Sequence, residues 1–284
     1  MLRYRCLRSM SMKRFIRILR DNWYYRVRER KHNVYDEPLC KDMKVMSYNI
    51  RCDSKLDGKH NWEYRKRFVA DVIRSERAGI VCLQELAPHS LKYLLYELGG
   101  DYDCYDVDAR NGRPLHKRWF DGYGLAILYD KKRYTLISSE CLWLSDTPDK
   151  PSRTWGNEEY RVAIRVKLQE KDSGKVLNVF NTHFDHTSTE IIKKSAELLR
   201  KHISLYKGDL FLAGDFNAEI SSLDTLNEVL YHNLADNTPT FTGYHFAGTK
   251  VLDTIYTRIP YHREVIIRKF GGHNASDHCA VVIE

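Results

Sequence analysis

From residue 44 onward, short apolar runs rich in β-branched residues alternate with polar stretches, and several runs end abruptly in an acid, an amide or an imidazole. Apolar runs bounded by turn formers read as buried strands. On that basis strands are expected at 44–50, 79–84, 124–129, 134–144, 160–168, 176–181, 209–213, 251–256, 264–269 and 279–283. Helical spacing occurs at 62–77, where Phe68, Val69, Val72 and Ile73 make one apolar face, and again at 88–98. Thr187 with Glu190 forms a capping box expected to open a helix that runs to about residue 206, and a short helix is expected at 223–230. Strands outnumber helices, and there is no regular βαβ alternation, glycine fingerprint or internal repeat. The expected class is α+β, with two packed sheets, helices on the outside, and the motif-bearing strand ends converging at one rim.

Composition changes this picture mainly at the N-terminus. The chain has 284 residues, 43% hydrophobic and 30% charged, as in an ordinary globular protein with a substantial core. The formal net charge is +8, but residues 1–42 hold 12 of the 46 Lys and Arg against 5 of the 38 Asp and Glu. The remaining residues carry 34 basic and 33 acidic side chains, so the basic character belongs to a tail and not to residues 43–284. The first 20 residues have no acid and interleave arginines with Leu7, Met10, Phe15, Ile16, Ile18 and Leu19. Such a segment reads as a solvated extension, a mitochondrial targeting peptide, or a contact for anionic membrane or nucleic acid. No apolar run approaches the roughly 18 residues of a membrane span. Seven cysteines with no C-x-x-C pair argue against a disulfide framework and a zinc-thiolate site. The expected setting is a reducing, intracellular one, cytoplasmic or mitochondrial, and the expected state is a monomer.

The strand ends carry the chemistry. They read Met46-Ser-Tyr-Asn49, Val81-Cys-Leu-Gln-Glu85, Asn181-Thr-His183-Phe-Asp-His186, Leu212-Ala-Gly-Asp215-Phe-Asn217 and Ser276-Asp277-His278. A charge at the end of a buried strand is costly unless it is paired or bound to metal, which marks Glu85 as a metal ligand. Carboxylates gathered at one rim need a hard cation between them, and a cation with open positions attracts phosphate. Asp215 is a candidate general base, Asn217 can hold the attacking water, and His278 can bind phosphate or move a proton. His183 and His186 also admit a zinc reading, though no third soft ligand lies nearby in sequence. His183 is better placed to donate to phosphoryl oxygens as charge builds. Residues 110–120, Arg-Asn-Gly-Arg-Pro-Leu-His-Lys-Arg-Trp-Phe, read either as a solvated loop or as a grip for phosphate and a stacked base.

Over residues 43–284 these motifs, in this order, resemble the endonuclease/exonuclease/phosphatase superfamily. Met46-Ser-Tyr-Asn-Ile-Arg51, Phe180-Asn-Thr-His-Phe-Asp-His186 and Trp143-Leu-Ser-Asp-Thr-Pro148 resemble a bacterial-type branch in particular. The resemblance implies a four-layer α/β/β/α sandwich of two mainly antiparallel sheets, as in the deoxyribonuclease-I-like fold, with Mg²⁺ or Mn²⁺ as cofactor. It implies that Glu85, Asn49 and Asp277 hold the metal, and that Asp215 and Asn217 activate and position water. It makes Asp253 the aspartate that orients His278, His183 the phosphate-contacting histidine, and Arg161 and Asn181 substrate contacts. Two departures stand out: Asp253 is followed by Thr254, and Asp121-Gly-Tyr-Gly lacks the glutamate some relatives carry there, for which Asp121 is the available substitute. The implied activity is metal-dependent hydrolysis of a phosphodiester, with nucleic acid, single-stranded or RNA, as the leading substrate. The alternatives are a phosphoinositide, lipid headgroup, sugar phosphate or nucleotide and, remotely, an inactive binding module.

Overall fold

The computed structural model describes residues 42–119, 121–230, 238–244, 250–269 and 271–284, with Ile16 besides. The basic extension therefore lies almost wholly outside the described residues, as does Phe120 of the basic loop. In chain order the elements are β1 (Val45–Asn49), α1 (Trp62–Glu76), β2 (Ile80–Leu86), α2 (Pro88–Glu97), β3 (Tyr102–Asp108), β4 (Gly124–Asp130), β5 (Tyr134–Trp143), β6 (Val162–Glu170), β7 (Val176–His183), α3 (Thr189–Ile203), β8 (Asp209–Asp215), α4 (Asp224–Asn227), β9 (Asp253–Thr257), β10 (Glu264–Ile267) and β11 (Ala280–Ile283).

One sheet runs β10-β11-β1-β2-β4-β3 and the other β5-β6-β7-β8-β9. Pairing is antiparallel except at β1–β2 and β7–β8, which are parallel. Three apolar cores separate four layers. Val69, Val72, Ile73, Leu91 and Leu94 of the first two helices pack on Met46, Val81, Leu83 and Leu128. Val45, Ile80, Ile127, Val166, Val179 and Phe211 fill the space between the sheets. Ile192, Leu199 and Ile203 of α3 cover Phe180, Leu210 and Leu212. Each fully buried aliphatic side chain of this kind stabilises the fold by about 1.5–3 kcal/mol. The α/β/β/α sandwich of mainly antiparallel sheets is therefore as expected. No helix among the described residues is long and apolar enough to cross a membrane.

Three local expectations need correction. β3 is an edge strand that apolar periodicity does not reveal, because its buried Asp106 and Asp108 break the pattern. Those acids are matched by the loop that follows: His116 Nδ1 meets Asp106 at 2.5 Å, and Arg110 and Arg118 meet Asp108 at 3.1 and 3.2 Å. Helix α3 is capped by Ser188, whose hydroxyl accepts from the Ile191 amide, while the Thr187 amide bonds Asp185 instead. The helix expected at 223–230 is the short α4, preceded by a tight turn at Ile220–Leu223.

Candidate active site

Parallel neighbours end at the same edge of a sheet, so each parallel pair delivers two side chains side by side. In the first sheet Asn49 closes β1 opposite Gln84, and the next residue of β2 is Glu85. The β2–β4 register shifts between Leu83 and Leu86, and Glu85 there has φ +59°. A bulge with one left-handed residue turns a side chain that would otherwise follow the pleat, and this one aims the carboxylate at the rim. In the second sheet His183 closes β7 opposite Asp215, and Asp253 opens β9 opposite the same Asp215.

The two sheets meet through Asn49. Its Nδ2 donates to Asp215 Oδ2 at 2.8 Å and faces Glu85 Oε1 at 3.3 Å, while its Oδ1 accepts from the Arg51 amide. Glu85 also accepts from the Cys52 amide at 2.9 Å. Around Asp215, His183 Nε2 lies at 3.4 Å, His278 Nε2 at 3.7 Å, and the Asn217 amide donates to Oδ1 at 2.9 Å. Asp253 takes the other side of His278, with Oδ2 at 2.8 Å from Nδ1. All of these side chains except Asn217 are buried.

Burial sets the direction at Asp215, and the neighbouring carboxylates overcome burial at His278. Burial, opposed by His278 and reinforced by Asp253, raises Asp215 to about 7. Burial alone would lower His278, but Asp253 and then Asp215 raise it to about 10. The imidazole is thus a cation between two carboxylates at neutral pH. Asp215, Asp253 and His278 place one ligand atom each within 4.8 Å of one another, the geometry of a metal cluster. The imidazolium already supplies positive charge within that group.

Asp277 lies beside this group with its Oδ2 3.7 Å from Arg51 Nε, and Arg51 also forks onto Asp57 at 2.9 and 3.1 Å. Ser276 Oγ donates to the Asn49 carbonyl at 2.7 Å, which ties the Asp277–His278 turn to the end of β1. Arg161 is 2% exposed, faces Glu159 at 3.2 Å and His186 Nδ1 at 3.3 Å, and keeps Nε and Nη1 buried without a hydrogen-bond partner among the described residues.

Asn181 departs from its expected role as a substrate contact. Its Oδ1 accepts from Gln84 at 2.7 Å and its Nδ2 donates to the Leu83 and Ala126 carbonyls at 2.9 Å, so the amide is an inter-sheet strut. Asp121 is exposed and its carboxylate pairs with Arg110 at 2.6 Å. His183 and His186 face different partners, Asp215 and Arg161, which removes the basis for the zinc reading. Two contributors escaped the strand-end pattern. Tyr123 reaches His183 Nδ1 with its hydroxyl at 3.2 Å, from the start of the apolar run of β4 and not from its end. Arg65, buried on α1, donates to the carbonyls of Ile50, Arg51, Cys52 and Ala275, and so holds the backbone that holds Glu85. A lone arginine on an otherwise apolar helix face was the available signal.

A model of the Endonuclease/Exonuclease/phosphatase family matches residues 46–278. An uncharacterized protein of Acanthamoeba polyphaga mimivirus is 29% identical over 272 residues, which is 85% of this chain and 99% of that protein. The CCR4-Not complex 3′-5′-exoribonuclease subunit Ccr4 of Neosartorya fischeri is 25% identical over 161 residues, and the match spans only 21% of its length. Among solved structures, the mannosyl-6-phosphatase of Bacteroides thetaiotaomicron VPI-5482 superposes with a TM-score of 0.74 at 26% identity, over 86% of this chain and 99% of that one.

Proposed function

The chain belongs to the endonuclease/exonuclease/phosphatase family, and from that premise we propose that it is a divalent-metal-dependent phosphodiesterase acting on nucleic acid, single-stranded or RNA. One observation carries the reading. Buried carboxylates from two different sheets, Glu85 and Asp215, are held together by the single amide of Asn49, with the His278–Asp253 pair against the second of them. Burying two carboxylates this close costs stability, which supports a functional reason for the arrangement.

The donor set fits a hard cation. Glu85 and Asp277 offer carboxylate oxygen, and the cluster of ligand atoms found among the described residues, Asp215, Asp253 and His278, contains no thiolate. Asn49, as placed, turns its nitrogen to the carboxylates, so its part is to hold Glu85 and Asp215 in register. Mg²⁺ at Glu85 and Asp277, with Mn²⁺ as substitute, supplies charge neutralisation for the phosphoryl group when bound.

Asp215, raised to about 7, accepts the proton of the attacking water at neutral pH. Asn217 is pinned through Nδ2 to the Phe184 carbonyl at 3.0 Å, which leaves Oδ1 to orient that water. The His278 imidazolium, fixed by Asp253, and His183, fixed by Tyr123, donate to phosphoryl oxygens as negative charge builds. Arg161 brings two buried guanidinium nitrogens that a substrate oxygen satisfies.

A second reading, a sugar phosphatase, is favoured by the full-length likeness to the Bacteroides mannosyl-6-phosphatase. The deciding experiment incubates the protein and Glu85→Ala with single-stranded RNA, single- and double-stranded DNA and hexose phosphates, with Mg²⁺ or EDTA. Metal- and Glu85-dependent cutting of an oligonucleotide supports the first reading. Phosphate release from hexose phosphates alone replaces it with the second, and no turnover of any ester leaves neither standing.

A further inference from the structure

The loop between β3 and β4 rises from the working rim. It leaves β3 at Asp108 and enters β4 at Gly124, and Gly124 lies opposite Leu86, next to Glu85. The loop frames an open cavity of about 480 Å³ lined by Arg113, Pro114, Lys117, Arg118, Trp119 and Asp121. That volume falls within the roughly 300–1,000 Å³ of small-ligand sites. Tyr123, two residues beyond Asp121 in the same loop, bonds His183, so the loop that lines the cavity also reaches the reaction centre.

The charge of this cavity is lopsided. Its one acid, Asp121, is held by Arg110 at 2.6 Å, and its backbone carbonyl takes Arg118 Nε at 2.6 Å. Among the described residues no carboxylate pairs with Arg113 or Lys117. Trp119 is 41% exposed, with Lys92 Nζ 5.5 Å from its ring centre. The loop is also braced: Leu115 is fully buried, and Trp143 Nε1 donates to the Ala109 carbonyl at 2.7 Å. Cations on a fixed frame beside an exposed indole attract an anion that carries a flat ring.

The scissile phosphate belongs at Glu85 and Asp215, so a substrate with one phosphate has no second anion for Arg113 and Lys117. A nucleotide chain has an anion at every residue and an aromatic base beside it. Resting on the phosphoesterase reading above, we propose that this cavity is a second subsite that takes the nucleotide adjoining the one being cleaved, its base against Trp119 and its phosphate between Arg113 and Lys117.

Calorimetric titration of the full chain in EDTA tests it without turnover, using adenosine 3′,5′-bisphosphate and ribose 5-phosphate as probes. The bisphosphate is expected to bind roughly tenfold tighter than ribose 5-phosphate. Trp119→Leu is expected to erase that difference and Trp119→Phe to keep it. Arg113→Ala and Lys117→Ala each weaken the bisphosphate several-fold, while Lys150→Ala, an exposed cation of another loop, leaves it unchanged. The proposal is overturned if both probes bind alike, if the loop variants bind as the wild type does, or if Lys150→Ala weakens binding equally, which marks diffuse charge. Turnover of bis(p-nitrophenyl) phosphate with Mg²⁺ is measured alongside. Its absence counts against the phosphodiesterase reading, and the binding comparison stands or falls separately.

Discussion

Asp215 has neighbours that pull its proton in opposite directions: burial and Asp253 hold it on, while His278 draws it off. The proposed mechanism needs the Asp215 carboxylate and the His278 imidazolium together, so kcat/KM is expected to rise through pH about 7 and fall near pH about 10. A profile flat across the lower limb would remove Asp215 as the base. Asp215→Asn is expected to lower kcat by roughly 10²–10⁴-fold while leaving the fold intact. The same groups link stability to pH. His278 is raised from 6.5 to about 10 on folding, so its contribution is full below pH 6.5 and disappears as pH climbs toward 10. Asp215, raised from 3.8 to about 7, holds its proton more tightly in the fold, so its contribution is lost between pH 3.8 and about 7 and the fall above pH 7 belongs to His278. Thermal melts should therefore show the midpoint falling from pH 7 to 10, and His278→Asn should flatten that slope. An unchanged slope in the variant would place the alkaline loss elsewhere.

Among the elements, β2 and β8 were legible because each is a continuous apolar run that stops at a polar residue, and β1 and β7 because a mostly apolar run ends the same way. Edge strand β3 was not, since its buried acids owe their place to Arg110, His116 and Arg118, which come later in the chain. Glu85, Asp215, Asp253 and His278 were readable as a set, and the structure brings them together. The amide of Asn181 was misjudged because a strand-end asparagine looks alike whether it faces solvent or the opposite sheet. As a strut with three buried hydrogen bonds, Asn181→Ala is expected to cost about 2–4 kcal/mol in urea unfolding with little change in KM for a small phosphodiester. A raised KM at unchanged stability would restore the substrate role. Gly124 makes a second test of element packing, since a Cβ there would lie 1.7 Å from the Val107 carbonyl oxygen. Gly124→Ala should therefore part β3 from β4 and destabilise the fold by about 3 kcal/mol or more. A circular dichroism melt like that of the wild type would contradict the register.

At the scale of the whole molecule, the tail and the sandwich are expected to be separable. Lys44 ties the start of β1 to Glu76 and Glu284, so the sandwich has its own clasp near the point where the described residues begin. A chain starting at Asp42 should melt within a few degrees of the full protein and turn over bis(p-nitrophenyl) phosphate at the same rate, whereas a large loss of turnover would bring the extension into the site. The reaction centre, by contrast, cannot be divided. Asn49 bonds a carboxylate 166 residues away, and Ser276 returns to the Asn49 carbonyl across 227 residues. Between β10 and β1 sits β11, which follows every other described strand in the chain. A growing polypeptide on the ribosome can therefore complete most of both sheets and still lack its imidazolium. The paired acids gain their imidazolium only as β11 slots in between the edge strand β10 and β1.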